Sequence, residues 1–493
     1  MLDALNSTPN CEENIKIPKL EKDFHRLPIN FNIFDTSKPE TQLRMEEKLQ
    51  WATLKNFPWM VFFVAIFIWI AIAGVNYYYQ LQGGFTGTGL LFPISVIYPN
   101  QFLWSGFVFA FLFLLTGIFA FRYSEKLNVY LLFLVAIILV LFGNLSQGNF
   151  DTAFLQPFYL KGRQYYADAI NITNGTIWLR DFTKNLDDFQ LHTRTHPPFV
   201  TLLHHWILQI SNIETLAISF FAIGCLSFPI FHKILSYLGF EELRKKWTLL
   251  LFAVIPSVNI YLLVSIDSLV LTSTLIFLLG FARIFNQNKI DVWSFLFIFS
   301  GLLLTNLITF SGLFLFAFLG CFSFYFLLKG KWNFVWLSLM TTVLFVLSFL
   351  LIYVTTGYNH LDTFLQASHS ENPDGFRLFH QPFIYFVTRL EDIAEIFLFL
   401  SFGFLAVFFS KKSGTEVFEN SKINILFFSA ISALSAMLLT GAYGTGETAR
   451  ACLFLVPYFL ILLKDINSDQ FKILFYLCLF QTFGMQMIGN FYW

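Results

Sequence analysis

The sequence predicts an all-α membrane protein: a polytopic helical bundle of about 13 transmembrane helices, with interfacial helices in a long outer loop. Three observations carry this. Only 13% of the 493 residues are charged and 56% are hydrophobic, where a soluble domain carries about 25% charged residues. Apolar runs of roughly 20 residues, the length that crosses the hydrocarbon, recur from Phe57 onwards. The basic residues also divide unevenly between the connections that join those runs.

The first 56 residues read as a cytoplasmic tail. Residues 1–36 show little pattern, and "SKPE" (Ser37, Pro39, Glu40) is a capping box that starts a short surface helix ending at Lys55. No cleavable leader precedes the first apolar run, so that run is expected to remain as an anchor. The candidate spans are 59–79, 101–121, 127–145, 213–236, 247–264, 268–286, 292–308, 309–328, 334–355, 392–410, 422–440, 450–464 and 469–490. The split at 308/309 rests on the polar turn "TNLITFS". The segment 197–211 is apolar but short, and reads as a helix on the membrane surface.

With the N-terminus in the cytoplasm, the short inner connections hold 15 basic residues, the tail 8 and the outer side 8. That is the asymmetry the positive-inside rule requires. Treating 197–211 as a span would throw the "ELRKKW" cluster to the outside. The chain then divides into the tail (1–56), two extra N-terminal helices (57–126), a core (127–464) with outer loops 146–212 and 356–391, and a last helix (465–493). No repeat of opposite orientation is visible. The spans also read as free of the Gly/Pro breaks of transporters with discontinuous helices.

Basic and acidic residues balance at 31 each, which gives no sign of nucleic-acid binding. Cys11, Cys225, Cys321, Cys452 and Cys478 share no close spacing, which argues against a disulfide framework or a zinc site.

Ionisable residues are nearly absent from the predicted spans and gather on the outer face. Asp151 directly follows a span, and Asp168 follows the pair Tyr165–Tyr166. Such a carboxylate can act as a general base or be a solvated loop residue. The nearness of Asp151 to a span predicts that it is only partly solvated.

The stretch "LHTRTHPPFVTLLHHW" (191–206) is the densest in chemistry. Pro197 and Pro198 disfavour helix before them, so 191–196 is expected to be extended. His192, Arg194 and His196 then share one face. A proline-led surface helix follows, whose free N–H groups favour an anion. Phosphate fits such a set because guanidinium binds it bidentately. The alternative is an interfacial helix anchored by snorkelling basic groups. His204 and His205 read as interfacial anchors.

In "GAYGTGETARACLFLVPYF" (441–459), Glu447 and Arg450 are three apart at a helix start. They form a local pair, or Arg450 faces an anion. Asp267, the only acid between two spans, is either an N-cap or part of the same outer cavity.

At these residues the chain resembles the GT-C superfamily of polytopic membrane glycosyltransferases, which includes protein O-mannosyltransferases and lipid A aminoarabinose transferases. The likeness lies in the post-span Asp151, the long first outer loop of the core, "THPPF" leading a surface helix, and the late "GETAR", over roughly 127–464. The resemblance implies a GT-C-like fold in a bacterial inner membrane, with the active site on the outer face. It implies a donor sugar on a polyprenyl phosphate, with Asp151 or its rival Asp168 as the base. Arg194, His196, Arg450 and His192 would hold the donor phosphate. Asp267, Glu447, Tyr165 and Tyr166 would line the substrate cavity.

No cofactor is firmly implied, no metal ligand is assigned, and a divalent metal is left open. Membrane lipids and the lipid-linked donor are the expected partners; the acceptor (glycan, lipid or protein) is not specified. The chain departs from the family pattern in its two extra N-terminal spans, the lack of a second acid beside Asp151, and the lack of a sizeable soluble C-terminal domain. Two other readings stand beside this one. One is a lipid-linked saccharide flippase or transporter, which would place ionisable groups at mid-membrane. The other is a non-catalytic assembly subunit, which would need no anion pocket.

Overall fold

The computed structural model describes residues 54–55, 57–81, 98–99, 103–159, 164–263, 266–409, 421–442 and 448–490. Residues 1–53 and 56 of the tail, with its capping box, and Glu447 lie outside them.

The described chain is an all-α membrane protein. Its main helices, in order, are α1 (Trp59–Leu81), α2 (Trp104–Arg122), α3 (Val129–Leu145), α4 (Tyr166–Asn171), α5 (Leu191–Thr195), α6 (Phe199–Ile210), α7 (Ile213–Cys225), α8 (Ser227–Tyr237), α9 (Glu242–Val254), α10 (Pro256–Tyr261) and α11 (Asp267–Gln287). They continue with α12 (Val292–Ile308), α13 (Leu313–Leu328), α14 (Trp332–Thr356), α15 (His360–Glu371), α16 (Pro382–Leu400), α17 (Phe402–Phe408), α18 (Ser421–Leu439), α19 (Thr448–Ala451), α20 (Val456–Ile461) and α21 (Ser468–Ile488). One two-residue ladder, Tyr98–Pro99 against Gly489–Asn490, is antiparallel.

Seven stretches among the described residues are long and apolar enough to cross a membrane: α2, α7 with α8, α11, α13 with its leading turn, α14, α18 and α21. Other predicted runs form shorter helices, such as α3 and α12 with 17 residues each. The helices start where the sequence supplies caps. Asn128, Asn212 and Asp291 each accept an N–H from the first turn that follows. The polar turn at 308/309 is present: Thr309 is extended and its hydroxyl accepts the Ser311 N–H.

α11 is the centre of the bundle, buried along nearly its whole length. Its closest neighbour is α12, and two glycines allow the approach. A Cβ on Gly301 would stand 2.7 Å from the Phe277 Cα, and one on Gly280 2.7 Å from the Ser294 carbonyl. Small residues at such crossings let helix backbones meet. Gly301→Ala is therefore expected to cost about 1–3 kcal/mol through overpacking. Thermal unfolding in detergent checks this, and an unchanged melting temperature would show that the crossing can open without cost.

The expectation of unbroken spans is corrected. The run 247–264 breaks at Ile255, which is extended (ψ 134°) between α9 and α10. Pro256 causes this, because its ring disfavours helix for the residue before it. Non-helical backbone at membrane depth survives only when its polar groups are satisfied within the protein. Here Asn259 Nδ2 donates to the Ala253 carbonyl at 2.9 Å and Thr482 to the Val254 carbonyl at 2.6 Å. The run 392–410 breaks at Ser401 (φ 80°), between α16 and α17. The run 450–464 is a series of short turns around α19 and α20. α10 packs against both α16 and α19, so the irregular pieces meet.

The connections gather at two ends. At one, basic side chains bond backbone carbonyls of neighbouring connections and helix ends: Arg244 to Ile466 (2.8 Å), Lys246 to Glu125 (2.9 Å), Lys464 to Leu238 (2.9 Å) and Lys422 to Phe285 (2.7 Å). Cations are favourable there against helix C-termini. The long loops meet at the other end, where Thr183 bonds Thr363 at 3.0 Å and Arg450 bonds Asp267.

Candidate functional site

Residues 191–195 form the helix α5, not the expected extended strand. The proline constraint reaches only its immediate neighbour: His196 alone is extended (φ −126°, ψ 161°). Asp168 of α4 stabilises the helix start by accepting the Gln190 N–H at 2.9 Å and a hydrogen bond from Thr193. Burial raises the Asp168 carboxyl above its usual range, outweighing these two bonds.

The helix divides the predicted phosphate set. His192 and His196 are one turn apart on a shared face, with His196 Nδ1 3.1 Å from the His192 carbonyl. Arg194 lies roughly 200° round the helix from His192. It is half-buried near Glu371 of α15, and its Nε is buried with no hydrogen-bond partner among the described residues. Burial raises the Glu371 carboxyl, and the Arg194 charge works against that rise. One shared face for His192, Arg194 and His196 is thus corrected.

His196 has Arg450 as its electrostatic neighbour. Burial, together with the Arg450 charge, pushes its imidazole down to about 4. The Nδ1 faces a carbonyl and so carries the proton, leaving Nε2 as an acceptor. His196 thus supplies shape and an acceptor at neutral pH, and the positive charge beside it is that of Arg450. Arg450 Nε–H donates to Asp267 at 2.7 Å, and both side chains are largely buried. Asp267 begins α11 and pairs with Arg450 across 183 residues of chain, a partner for Arg450 that the local Glu447 pairing had not named.

Tyr165 is a packing hub. Only 2% exposed, its ring lies 5.9, 5.8 and 5.2 Å from those of His192, His196 and His204. Tyr166 is half-buried at the start of α4. His204 and His205 do not anchor at an interface. His204 bonds the Val200 carbonyl at 2.7 Å and His205 the Ala169 carbonyl at 2.9 Å, both buried. Burial holds the His204 imidazole down at about 4.

The depressed histidines tie stability to pH. Their folded pKa values lie below the ordinary 6.5, so the unfolded chain binds more protons between about pH 6.5 and 4. The stability they contribute is complete above that window and is lost as pH falls through it. Melting temperature is expected to drop from pH 7 to pH 4.5 in the wild type, and less in His204→Gln. Identical profiles for the two proteins would exclude His204 as a cause.

Asp151 opens a π-turn shortly after α3 and is exposed, not partly shielded as expected. Tyr159 donates to both its oxygens, at 2.9 and 3.1 Å. Burial and the neighbouring carboxylate raise the Tyr159 phenol above its usual range. The preceding residue, Phe158, has its ring 6.0 Å from that of His204. Asp151 thus belongs to the same end of the bundle as the Tyr165–His196–Arg450 group.

Sequence reasoning missed the charged face of α16. Arg389, Glu391, Asp392 and Glu395 are all buried, whereas Phe383, Phe386, Leu390 and Ile393 are exposed. The polar spacing 385, 388, 389, 392, 395 is a helical stripe. It was legible, but the predicted span began at 392 and cut the stripe in two. Asp392 pairs with Arg389 at 3.1 Å.

An apolar cavity of about 460 Å³ opens between α12, α13, α14 and α15, walled by Phe310, Phe345, Phe349 and Leu350 with His360 among its lining. None of the sequence-predicted site residues lines it. Among the described residues no group of three or more His, Cys, Asp or Glu is arranged to hold a metal ion. Compared with known proteins, the chain matches no family model, no curated protein and no solved structure.

Proposed function

We propose that the chain is a membrane glycosyltransferase that moves a sugar from a polyprenyl-phosphate donor to an acceptor on the non-cytoplasmic face. The observation that supports it best is the meeting of Arg450, Asp267 and His196 among broken helices, at the same end of the bundle as the exposed carboxylate Asp151. Under this reading the end rich in Lys–carbonyl bonds faces the cytoplasm. The long-loop end faces outward, in a bacterial inner membrane, on a GT-C-like bundle.

Asp151 takes the acceptor hydroxyl proton. The acceptor oxygen attacks the anomeric carbon, the bond from that carbon to the phosphate oxygen breaks, and the polyprenyl phosphate leaves with the electron pair. The Arg450 guanidinium, fixed beside Asp267, stabilises the departing charge. Arg194, with its buried Nε, offers a second donor on the far side of α5. α15 runs from the apolar cavity at His360 to Glu371 beside Arg194, roughly 16 Å, and the cavity is of the apolar character an isoprenoid chain needs.

The test is release of polyprenyl phosphate from a labelled polyprenyl-phosphate sugar by purified protein in liposomes supplied with membrane extract. Transfer supports the reading. Movement of the intact donor between leaflets without cleavage favours transport instead, the reading to which the buried charges of α16 and the broken helices also point.

A further inference from the structure

We propose that α16 sets the position of Arg450, with the buried carboxylates of Asp392 and Glu395 acting as positioning residues for the phosphate-binding site. This rests on the reading of Arg450 as the cation that meets the lipid phosphate.

α16 is built inside out. The apolar stripe Phe383, Phe386, Leu390, Ile393 is exposed, as suits a helix against lipid, and its charged stripe faces the protein. Burying three carboxylates and an arginine is costly unless each is paired or hydrogen-bonded. A helix that only filled space would carry apolar residues there at lower cost. Besides the Arg389–Asp392 pair within the helix, Tyr385, Arg389, Asp392 and Glu395 all bond to one feature, the two flanks of the glycine-rich connection between α18 and α19.

On the incoming flank, Tyr385 donates to the Leu439 carbonyl at 2.6 Å and Arg389 to the carbonyls of Leu438 (3.1 Å) and Ala442 (2.5 Å). On the outgoing flank, the Thr448 hydroxyl donates to Asp392 and the Ala449 N–H to Glu395 at 3.1 Å. Arg450 is the next residue. The chain is thus tied to α16 through the Ala449 backbone one residue upstream and the Thr448 side chain two residues upstream, and the Arg450 side chain reaches across to Asp267 on α11. α10, the half-helix after the Pro256 break, packs against both α16 and α19 and closes the arrangement.

A guanidinium on a short irregular helix has many rotamers and little backbone restraint of its own. Two hydrogen bonds to carboxyl groups at its base hold the backbone it springs from, and the pair with Asp267 then fixes its fork. Groups preorganised in this way are what make electrostatic stabilisation effective.

The test uses the full chain in detergent micelles, with a short-chain polyprenyl phosphate as the binding probe and amide exchange of residues 448–452 as the positional readout. Glu395→Ala and Asp392→Ala are expected to raise exchange at Ala449 and to weaken probe binding about tenfold, the scale of a lost charge-assisted bond. Glu395→Gln and Asp392→Asn keep the accepting oxygen and are expected to stay near wild type in both readouts. In an Arg450→Ala background, Glu395→Ala is expected to weaken binding no further. Thr448→Val, which removes one donor and keeps the shape, serves where the alanine variants fail to fold. Unchanged exchange at 448–452 in the alanine variants would overturn the proposal, as would Gln and Asn variants as defective as Ala. A wild type that binds no probe would end the phosphate reading; the exchange arm then decides the positioning role alone.

Discussion

Arg450→Ala is expected to lower the stability of the fold by about 3–5 kcal/mol, the usual cost of removing one member of a buried ion pair. Asp267 is 7% exposed, so the variant leaves a carboxylate in a largely dry site without the cation it faces. Thermal unfolding in detergent measures this. The double variant Asp267→Leu with Arg450→Leu is expected to recover most of the loss, because replacing both partners with apolar groups is often neutral or stabilising. Both proteins are expected to lose affinity for polyprenyl phosphate. Stability and binding would then separate: a recovered double variant that binds no polyprenyl phosphate would show that the pair serves the proposed ligand more than the fold. An Arg450→Ala protein as stable as wild type would mean that Asp267 reaches water, and the dry site would go with it.

Asp151→Asn is expected to reduce transfer by about 10²–10⁴-fold, the range for loss of a general base, while leaving the melting temperature unchanged. The asymmetry with Asp168 motivates this. Asp151 is exposed and bonded by Tyr159, a side chain that a substrate hydroxyl can join or displace. Asp168 is occupied in holding Gln190 and Thr193. Asp168→Ala is therefore expected to cost about 1 kcal/mol of stability, as loss of a cap does, and to disturb His196 through α5. Steady-state transfer assays with melting curves on both variants check the assignment. Transfer retained in Asp151→Asn and abolished in a stably folded Asp168 variant would exchange the two roles.

The helical architecture was legible because apolar run length is set by membrane thickness and shows directly in composition. The short helix α6 and the polar turn at Thr309 follow from local chemistry, and the structure has them. The breaks at Ile255 and Ser401 were harder to see. A single Pro256 or a serine at positive φ is a weak signal, and the groups that make those breaks tolerable come from elsewhere: Asn259 beyond the proline, and Thr482 on α21.

The site was legible in its members more than in its geometry. Asp267 and Arg450 were each singled out, and the fold joins them. The error at 191–196 came from extending the proline effect past one residue, and it misplaced Arg194 relative to His196. The charge expected on His196 is also absent at neutral pH, because a spacing pattern carries no information about burial or about a neighbouring arginine. The charged face of α16 escaped because the length rule assigned half of it to a loop.

The most direct test of the whole account is a structure of the protein in lipid nanodiscs with a bound polyprenyl phosphate. The phosphate is expected within hydrogen-bonding reach of the Arg450 guanidinium, at the end of the bundle that carries Asp151 and His196. A phosphate seated instead among Arg244, Lys246 and Lys464, at the opposite end, would contradict the account.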